Sequence, residues 1–213
     1  MKTALIAGAS GLIGRELVQK LINSDQYRLI YSISRKKGRF VHDKIREIVI
    51  NFEQIDQLRI DEPIDDVFCT LGTTMKQAGS RENFKKVDYG YVLELAKLGK
   101  KSGASKYLVV SAMGANPKSP VFYNQVKGLV EEELKKLGFK HLVILRPSLL
   151  LGERPVMRYA ERLSGFLMKT LNIFIPDNYK AIYANKVADF MLKMALKSTG
   201  PITIIKSGEM FRD

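Results

Sequence analysis

The sequence predicts an α/β fold with a parallel β-sheet, and three features of the chain indicate it. Short apolar runs alternate with longer amphipathic stretches along most of the 213 residues, the pattern of repeated strand–helix units. The first apolar run leads directly into a glycine-rich turn over residues 8–14. The length suits a single domain of ordinary size, with or without a small appended lobe.

Hydrophobic periodicity places the individual elements. Apolar residues at helical spacing predict a helix over 11–22 and another that includes 84–98. A third helix begins with Ser119 as N-cap and Pro120 at the first helical position, and ends at Gly138. Strands are predicted over 3–7, 28–33, 47–51, 67–71, 106–111 and 141–145.

The regular alternation weakens beyond residue 152. Two amphipathic helices (156–171 and 186–196) and a short strand (202–205) are expected there. We interpret 152–213 as a small C-terminal lobe on the substrate side of a single domain that spans 1–213. The helix over 156–171 is interpreted as a lid or core-facing helix rather than a membrane-surface helix.

Composition narrows the class of protein. The net charge of +13 is spread along the chain, which favours a solvated surface with one anion site over nucleic-acid binding. Cys69 is the only cysteine, so no intrachain disulfide forms, and its apolar neighbours predict a core position. Residues 1–3 show no export signal, and no apolar run approaches the ~20 residues of a membrane span. A cytoplasmic protein is therefore expected, with its oligomeric state open.

The glycine-rich turn predicts a phosphate-binding site. It follows the first strand and opens the first helix, where free N–H groups favour an anion. The first glycine permits the tight turn, the second lets the backbone approach a pyrophosphate, and the third allows close packing of helix on sheet. With the further strand–helix units, the turn predicts a Rossmann-type, doubly wound parallel sheet that binds a nicotinamide dinucleotide through Gly8, Ser10, Gly11, Leu12, Ile13 and Gly14.

The end of the second strand predicts which dinucleotide binds. An acidic residue there hydrogen-bonds the adenosine ribose of NAD, whereas an arginine accommodates the 2′-phosphate of NADP. This chain has no carboxylate over 32–37 and carries Ser34, Arg35 and Lys36. Ser34 offers a hydroxyl donor, and Arg35 offers a planar fork suited to phosphate. The predicted cofactor is therefore NADP(H).

Three side chains predict acid–base chemistry. Tyr123 and Lys127 are four residues apart on a predicted helix, so they share one face, and a nearby ammonium favours the phenolate. Ser111 ends the fifth strand, at the edge where open α/β sheets place their ligands. We expect Tyr123 to exchange a proton with a substrate oxygen that Ser111 polarises. His42 and His141 lack a second ligand at zinc spacing, so no metal site is expected.

The glycine turn, Ser111 and the Tyr123-x-x-x-Lys127 spacing together resemble the short-chain dehydrogenase/reductase superfamily over essentially the whole chain. Other segments are similar to its atypical, compact branch, which includes the Tat-interacting-protein-like oxidoreductases: Thr70-Leu71-Gly72-Thr73-Thr74, Asn83-Phe84-Lys85-Lys86-Val87-Asp88, Ser111-Ala112-Met113-Gly114-Ala115 and Arg146-Pro147.

The resemblance implies an oxidoreductase acting on a small-molecule carbonyl or alcohol. It implies that Tyr123 is the acid/base, Lys127 its ribose-bound helper and Ser111 the oxyanion partner. It also implies two groups of cofactor contacts: the adenosine and ribose side is lined by Leu71, Gly72 and Thr73, and the nicotinamide is flanked by Pro147 and Leu149.

Two positions depart from the pattern of the superfamily. Ala112 stands where related sequences often carry a second serine, so one hydroxyl is missing. Asp88 stands where many members have an asparagine in a proton relay. The resemblance therefore supports the Ser-Tyr-Lys set and leaves an extended relay unsupported.

Other functions stay open at this point. The same residues suit a regulatory or interaction protein that senses NADP(H) with little or no catalysis, although a pure sensor does not need all three side chains. They also suit a nucleotide-sugar epimerase or dehydratase, although the chain after the sixth strand is short for enclosing so large a substrate. A basic nucleic-acid binder is the third alternative. Substrate and reaction direction are not specified by the sequence.

Overall fold

The computed structural model describes residues 1–38, 40–152, 176–197 and 199–211. Its strands are β1 (Lys2–Ala7), β2 (Tyr27–Ser34), β3 (Ile45–Val49), β4 (Asp66–Cys69), β5 (Lys106–Val110), β6 (His141–Arg146), β7 (Leu150–Leu151), β8 (Ile182–Tyr183) and β9 (Ile202–Lys206). Its α-helices are α1 (Leu12–Asn23), α2 (Met75–Ala78), α3 (Arg81–Lys85), α4 (Val92–Lys101), α5 (Phe122–Lys136) and α6 (Ala184–Leu196). A π-helical segment, Lys86–Tyr91, joins α3 to α4, and 3₁₀ turns cover Phe52–Gln57, Asp177–Tyr179 and Ser207–Met210.

The main sheet confirms the predicted doubly wound, Rossmann-type fold. In the described part of the chain it has seven parallel strands in the order β3-β2-β1-β4-β5-β6-β9. Helices α1 and α6 cover one face of this sheet, and α4 and α5 cover the other. The strand order reverses between β1 and β4. Open α/β sheets bind their ligands at such a switch point, outside the carboxyl ends of the strands.

The described chain after residue 176 contributes a strand to the main sheet and a helix to one of its faces. Strand β9 pairs with β6, with Ile205 opposite Leu145, and so extends the main sheet. Helix α6 packs on α1 and buries Val187 and Met191 completely. The reason is apolar burial: both elements carry an apolar face that the main sheet covers. The predicted helix over 156–171 lies outside the described residues.

Two predicted boundaries are wrong because local side-chain hydrogen bonds turn the backbone there. Helix α5 begins at Phe122 rather than at Pro120, because Ser119 accepts the N–H of Val121 at 3.1 Å within the preceding loop and does not cap the helix. Strand β3 spans 45–49 rather than 47–51, because Asn51 turns away from the sheet and accepts the N–H of Glu53. The predicted helix end is confirmed, since Gly138 has a φ of +65°.

A buried polar cluster holds the amino ends of the strands together. The Tyr27 hydroxyl donates to Asp66 Oδ2 at 2.5 Å, and the ammonium of Lys2 lies 2.8 Å from the same oxygen. Nearby, the buried Lys106 ammonium donates to the carbonyls of Ala195 at 2.9 Å and Lys197 at 2.7 Å. Lys106 thus satisfies the carbonyls at the C-terminal end of α6 and ties that helix to β5.

This cluster predicts a loss of stability at alkaline pH. Burial and the Asp66 carboxylate raise the pKa of Tyr27 far above its ordinary value of 10.0. As the pH rises, the phenol therefore ionises in the unfolded chain before it does so in the folded one. Its contribution to the free energy of unfolding is complete below pH 10.0 and is lost progressively above it. We expect Tyr27 to lower the free energy of unfolding by about 1.4 kcal/mol per pH unit in that range.

Urea unfolding at a series of neutral to alkaline pH values measures this slope. Tyr27→Phe removes the ionising group, so its slope above the ordinary tyrosine pKa should be shallower than that of the wild type. Tyr183→Phe, at an exposed position, is the matched control and should keep the wild-type slope. Equal slopes in Tyr27→Phe and wild type would contradict the prediction.

Candidate active site

The glycine turn lies at the switch point between β1 and β4. Gly8 has a φ of +92°, and a Cβ there would lie 2.6 Å from the Thr70 carbonyl oxygen. A Cβ at Gly14 would lie 2.1 Å from the Gly8 carbonyl oxygen. Both glycines are therefore required by the packing of the turn on itself and on the end of β4.

Gly11 differs from the other two glycines of the turn. Its φ of −74° suits any residue, and a Cβ there would meet only the Gly8 carbonyl oxygen closely, at 3.1 Å. No side chain caps the N-terminus of α1, which begins at Leu12. The turn therefore presents a small, open surface with helix N–H groups, which fits a bound phosphate. Ser10 is exposed beside this surface, whereas the Ile13 side chain is buried in the core.

The loop after β2 carries the basic residues predicted to select NADP. Arg35 and Lys36 are exposed, as is Lys37. The Ser34 hydroxyl donates to the Lys36 carbonyl at 2.6 Å, so it shapes the loop and is not the free donor that the sequence suggests. Glu47 of β3 accepts the Gly38 N–H. This carboxylate lies outside residues 32–37, so the sequence around the end of β2 does not reveal it. The parallel pairing of Ser32 with Glu47 brings it to the loop.

Tyr123 and Lys127 come together with Asp88 at the carboxyl edge of the sheet. The Lys127 ammonium lies 2.8 Å from Asp88 Oδ1, and both residues are buried, at 4% and 1% exposure. Asp88 Oδ2 accepts the Thr73 N–H at 2.8 Å. The Tyr123 ring packs against Phe84 with the ring centroids 5.6 Å apart, and the residue is 37% exposed. This cluster joins the loop after β4 to the first turns of α5.

Asp88 sets the charge state of Lys127. Burial disfavours the ammonium and is the largest single effect, but the Asp88 carboxylate and its neighbours together outweigh it, so the pKa of Lys127 is raised above its ordinary value of 10.5. The negative form of Tyr123 acts in the same direction. Asp88 lies in the π-helical segment 86–91, an irregularity that is frequent at functional sites. The sequence marks Asp88 only as a departure, and its ion pair with Lys127 was not predicted.

Ser111 has a partner that the sequence does not predict. It is buried, and its hydroxyl donates to Glu131 Oε1 at 2.5 Å. Glu131 also accepts from Arg146, whose Nε lies 3.0 Å from Oε1 and whose Nη2 lies 2.5 Å from Oε2. Glu131 follows Lys127 by one helical turn on α5, so this second network adjoins the Tyr123 cluster. The spacing of Glu131 eight residues after Tyr123 was the available signal for it.

The remaining predicted cofactor contacts lie along the same edge of the sheet. Leu71 and Thr73 are half-buried and Gly72 is exposed, and a Cβ at Gly72 would lie 3.9 Å from Lys127 Nζ. Pro147 is buried, and its carbonyl accepts the Met113 N–H at 2.9 Å. Leu149 is exposed after the end of β6.

The described ranges contain neither a metal-binding group of side chains nor a membrane-spanning helix. No group of three or more His, Cys, Asp or Glu side chains there is placed to hold a metal ion. No helix among those residues is long and apolar enough to cross a membrane. Cys69 is buried and free, as predicted.

Solved structures of low sequence identity share this fold. A short-chain dehydrogenase family protein from Francisella tularensis superposes with a TM-score of 0.72 at 13% identity, covering 99% of both chains. A UDP-N-acetylglucosamine 4-epimerase from Methanobrevibacter ruminantium gives a TM-score of 0.71 at 17% identity, covering 96% of this chain and 76% of that chain. These likenesses show that the chain has the Rossmann-type fold of both proteins.

The chain belongs to the HIM1 family, whose model matches residues 31–175. It is similar to the protein HTATIP2 of Rattus norvegicus, with 32% identity over 204 residues, which cover 94% of this chain and 82% of the relative. It is also similar to the mitochondrial protein FMP52 of Candida albicans, with 39% identity over 159 residues, which cover 71% of this chain and 69% of the relative.

These relatives correct one prediction. The expected cytoplasmic location is wrong, because several FMP52 relatives that the chain resembles are named mitochondrial. The physical reason is that organelle targeting is carried by short segments rather than by overall composition. Charge and the lack of a long apolar run therefore did not determine location.

Proposed function

We propose that the chain is an NADP(H)-dependent oxidoreductase that transfers hydride to or from a small carbonyl or alcohol substrate. The observation that carries the proposal is the cluster of Tyr123, Lys127 and Asp88 at the carboxyl edge of the sheet, beside the switch point that holds the glycine turn. The mitochondrial names of the FMP52 relatives support a mitochondrial setting for this activity.

The residues of the site fit a dinucleotide. The backbone and packing at Gly11 do not require a glycine, so the open space beside it is available to a ligand. The uncapped N-terminus of α1 offers N–H donors for a pyrophosphate. Exposed basic side chains after β2 supply charge for a 2′-phosphate. The proposed contacts are Gly8, Ser10, Gly11, Leu12, Ile13, Gly14, Ser34, Arg35, Lys36, Leu71, Gly72, Thr73, Lys127, Pro147 and Leu149.

Tyr123 is the proposed acid/base. When bound, the nicotinamide supplies hydride to the substrate carbon or accepts it. In the direction of reduction, the Tyr123 hydroxyl donates its proton to the carbonyl oxygen, and the Lys127 ammonium stabilises the phenolate that forms. Asp88 keeps this lysine protonated and in place, but its negative charge also offsets part of the field that Lys127 exerts on the phenol.

Ser111 is the proposed oxyanion partner, and the structure adds a condition to that role. Its hydroxyl proton is engaged with Glu131. To polarise a substrate oxygen, Ser111 must turn its hydroxyl away from this carboxylate. Glu131 retains the Arg146 guanidinium as a partner when it does so.

Arg35→Asp tests the choice of cofactor. The wild type should bind NADPH more tightly than NADH, because the exposed Arg35 guanidinium is suited to a 2′-phosphate. A carboxylate at that position repels the phosphate, so the variant should prefer NADH. Fluorescence titration of both proteins with both dinucleotides gives the affinities.

Arg59→Asp introduces the same charge change at an exposed position away from this loop and is the matched control. It should keep the wild-type preference for NADPH. Equal affinities of the wild type for NADPH and NADH would rule out the assignment of NADP(H).

A second candidate function is NADP(H) sensing with little catalysis. Two contacts favour it: Asp88 neutralises Lys127, and Glu131 engages the Ser111 hydroxyl. Profiling aldehydes, ketones and quinones with NADPH separates the two functions. Turnover of any of them supports the oxidoreductase. Tight NADPH binding without turnover, together with a partner interaction that NADPH alters, supports the sensor.

A further inference from the structure

A pocket of about 210 Å³ lies at the carboxyl ends of β5, β6 and β9. Its lining includes the apolar side chains of Met113 and Tyr179 and four polar residues: Arg146, Asn178, Lys206 and Ser207. No carboxylate is among its described lining residues. None of the proposed Tyr123 chemistry uses this pocket's polar residues.

The polar groups of the pocket are hydrogen-bond donors. Asn178 Oδ1 accepts the Gly208 N–H at 3.0 Å, so the side-chain amide nitrogen of Asn178 points away from Gly208. Arg146 uses Nε and Nη2 on Glu131, and a guanidinium has further N–H donors. The Lys206 ammonium adds donors and no acceptor. The Ser207 hydroxyl is paired with Ser148 at 3.0 Å. A ligand that fits this wall is rich in acceptor oxygens.

The pocket adjoins the acid/base end of α5. Gly114 lies in its wall, and a Cβ at Gly114 would lie 3.1 Å from Asn124 Nδ2. Asn124 follows Tyr123 directly on the helix. Arg146 reaches Ser111 through Glu131. These contacts connect the wall of the pocket to the neighbours of the two proposed catalytic residues, Tyr123 and Ser111.

We propose that this pocket binds an anionic, oxygen-rich group of the substrate, such as the carboxylate of a small oxo acid, through Arg146, Asn178 and Lys206. The inference rests on the proposed oxidoreductase function and specifies its substrate class. The planar guanidinium pairs well with carboxylate or phosphate oxygens. The apolar Met113 and Tyr179 contact the short carbon chain between the anion and the reacting carbonyl.

Matched aldehydes test the proposal. Succinic semialdehyde carries a carboxylate that butanal lacks, and glyceraldehyde 3-phosphate carries a phosphate that glyceraldehyde lacks. With NADPH, the wild type should show a kcat/KM at least about 10-fold higher for the anionic member of one pair, since hydrogen bonds to a charged group are strong. The pair that shows the preference identifies the anion. No preference in either pair would overturn the proposal.

Two variants assign the preference to the pocket. Asn178→Asp keeps an acceptor for the Gly208 N–H but replaces the amide donors with a repelling oxygen, and Lys206→Met removes the ammonium. Each should reduce the preference for the anionic aldehyde, measured as the ratio of the two kcat/KM values, about 10-fold. Lys140→Met, at an exposed lysine before the amino end of β6, should keep the wild-type ratio. Preferences unchanged in both pocket variants would place the anion elsewhere.

A binding measurement keeps this inference separate from the proposed function. If NADPH binds but no aldehyde is reduced, the oxidoreductase proposal fails, and calorimetry with succinate and with inorganic phosphate tests the pocket alone. The wild type should bind one of these anions, and Asn178→Asp should weaken that binding about 10-fold. Absence of binding to either anion in the wild type would overturn the pocket assignment.

Discussion

Tyr123→Phe should lower the turnover number by about 10²–10⁴-fold, which is the usual contribution of a positioned acid or base. The substitution removes one oxygen and keeps the ring that packs against Phe84. Because Tyr123 is 37% exposed, loss of its hydroxyl leaves the fold and the affinity for NADPH unchanged. Steady-state turnover of the best aldehyde or ketone from the substrate screen measures the effect, and a fluorescence titration measures NADPH affinity.

Controls separate the chemistry from side effects. Tyr183→Phe removes a hydroxyl from an exposed tyrosine and should keep wild-type turnover. Lys127→Ala should weaken both NADPH binding and turnover, but it also leaves the buried Asp88 carboxylate unpaired, which is destabilising. The double variant Lys127→Met, Asp88→Asn removes both charges together and keeps this cost small. Wild-type turnover in Tyr123→Phe would rule out Tyr123 as the acid/base.

Gly11→Val should abolish measurable binding of NADPH. The backbone at Gly11 has a φ of −74° and a ψ of 174°, which a valine adopts readily. Its Cβ lies 3.1 Å from the Gly8 carbonyl oxygen, so the turn gives way only slightly and the fold is kept. The branched side chain nevertheless fills the space in front of the uncapped N-terminus of α1, where the pyrophosphate is proposed to bind.

Gly200→Val is a matched control, because a Cβ there has no neighbour closer than 4.0 Å. It should bind NADPH like the wild type. Circular dichroism and thermal unfolding establish that both valine variants are folded. A folded Gly11→Val protein with unchanged affinity for NADPH would show that the dinucleotide binds elsewhere.

The sequence by itself determined the features that depend on local pattern. Apolar runs and their spacing placed β1, α1 and β2 within one or two residues of their observed bounds. They could do so because side chains repeat with different periods in strands and helices, and the buried face of each is apolar. The turn between β1 and α1 was equally readable, since Gly8 and Gly14 meet steric demands of the backbone itself. Tyr123 and Lys127 shared a face for the same reason, as the helical repeat fixes their separation.

Only the tertiary structure decided which residues these elements bring into contact. Asp88 and Lys127 are distant in sequence, and the π-helical segment together with the packing of α5 places them 2.8 Å apart. Ser111 donates to Glu131 because β5 ends against the middle of α5. Strand β9 joins β6 and thereby brings Lys206 and Ser207 to the pocket with Arg146. Sequence patterns report which faces are apolar, whereas hydrogen bonds and ion pairs between distant segments depend on how those faces pack together.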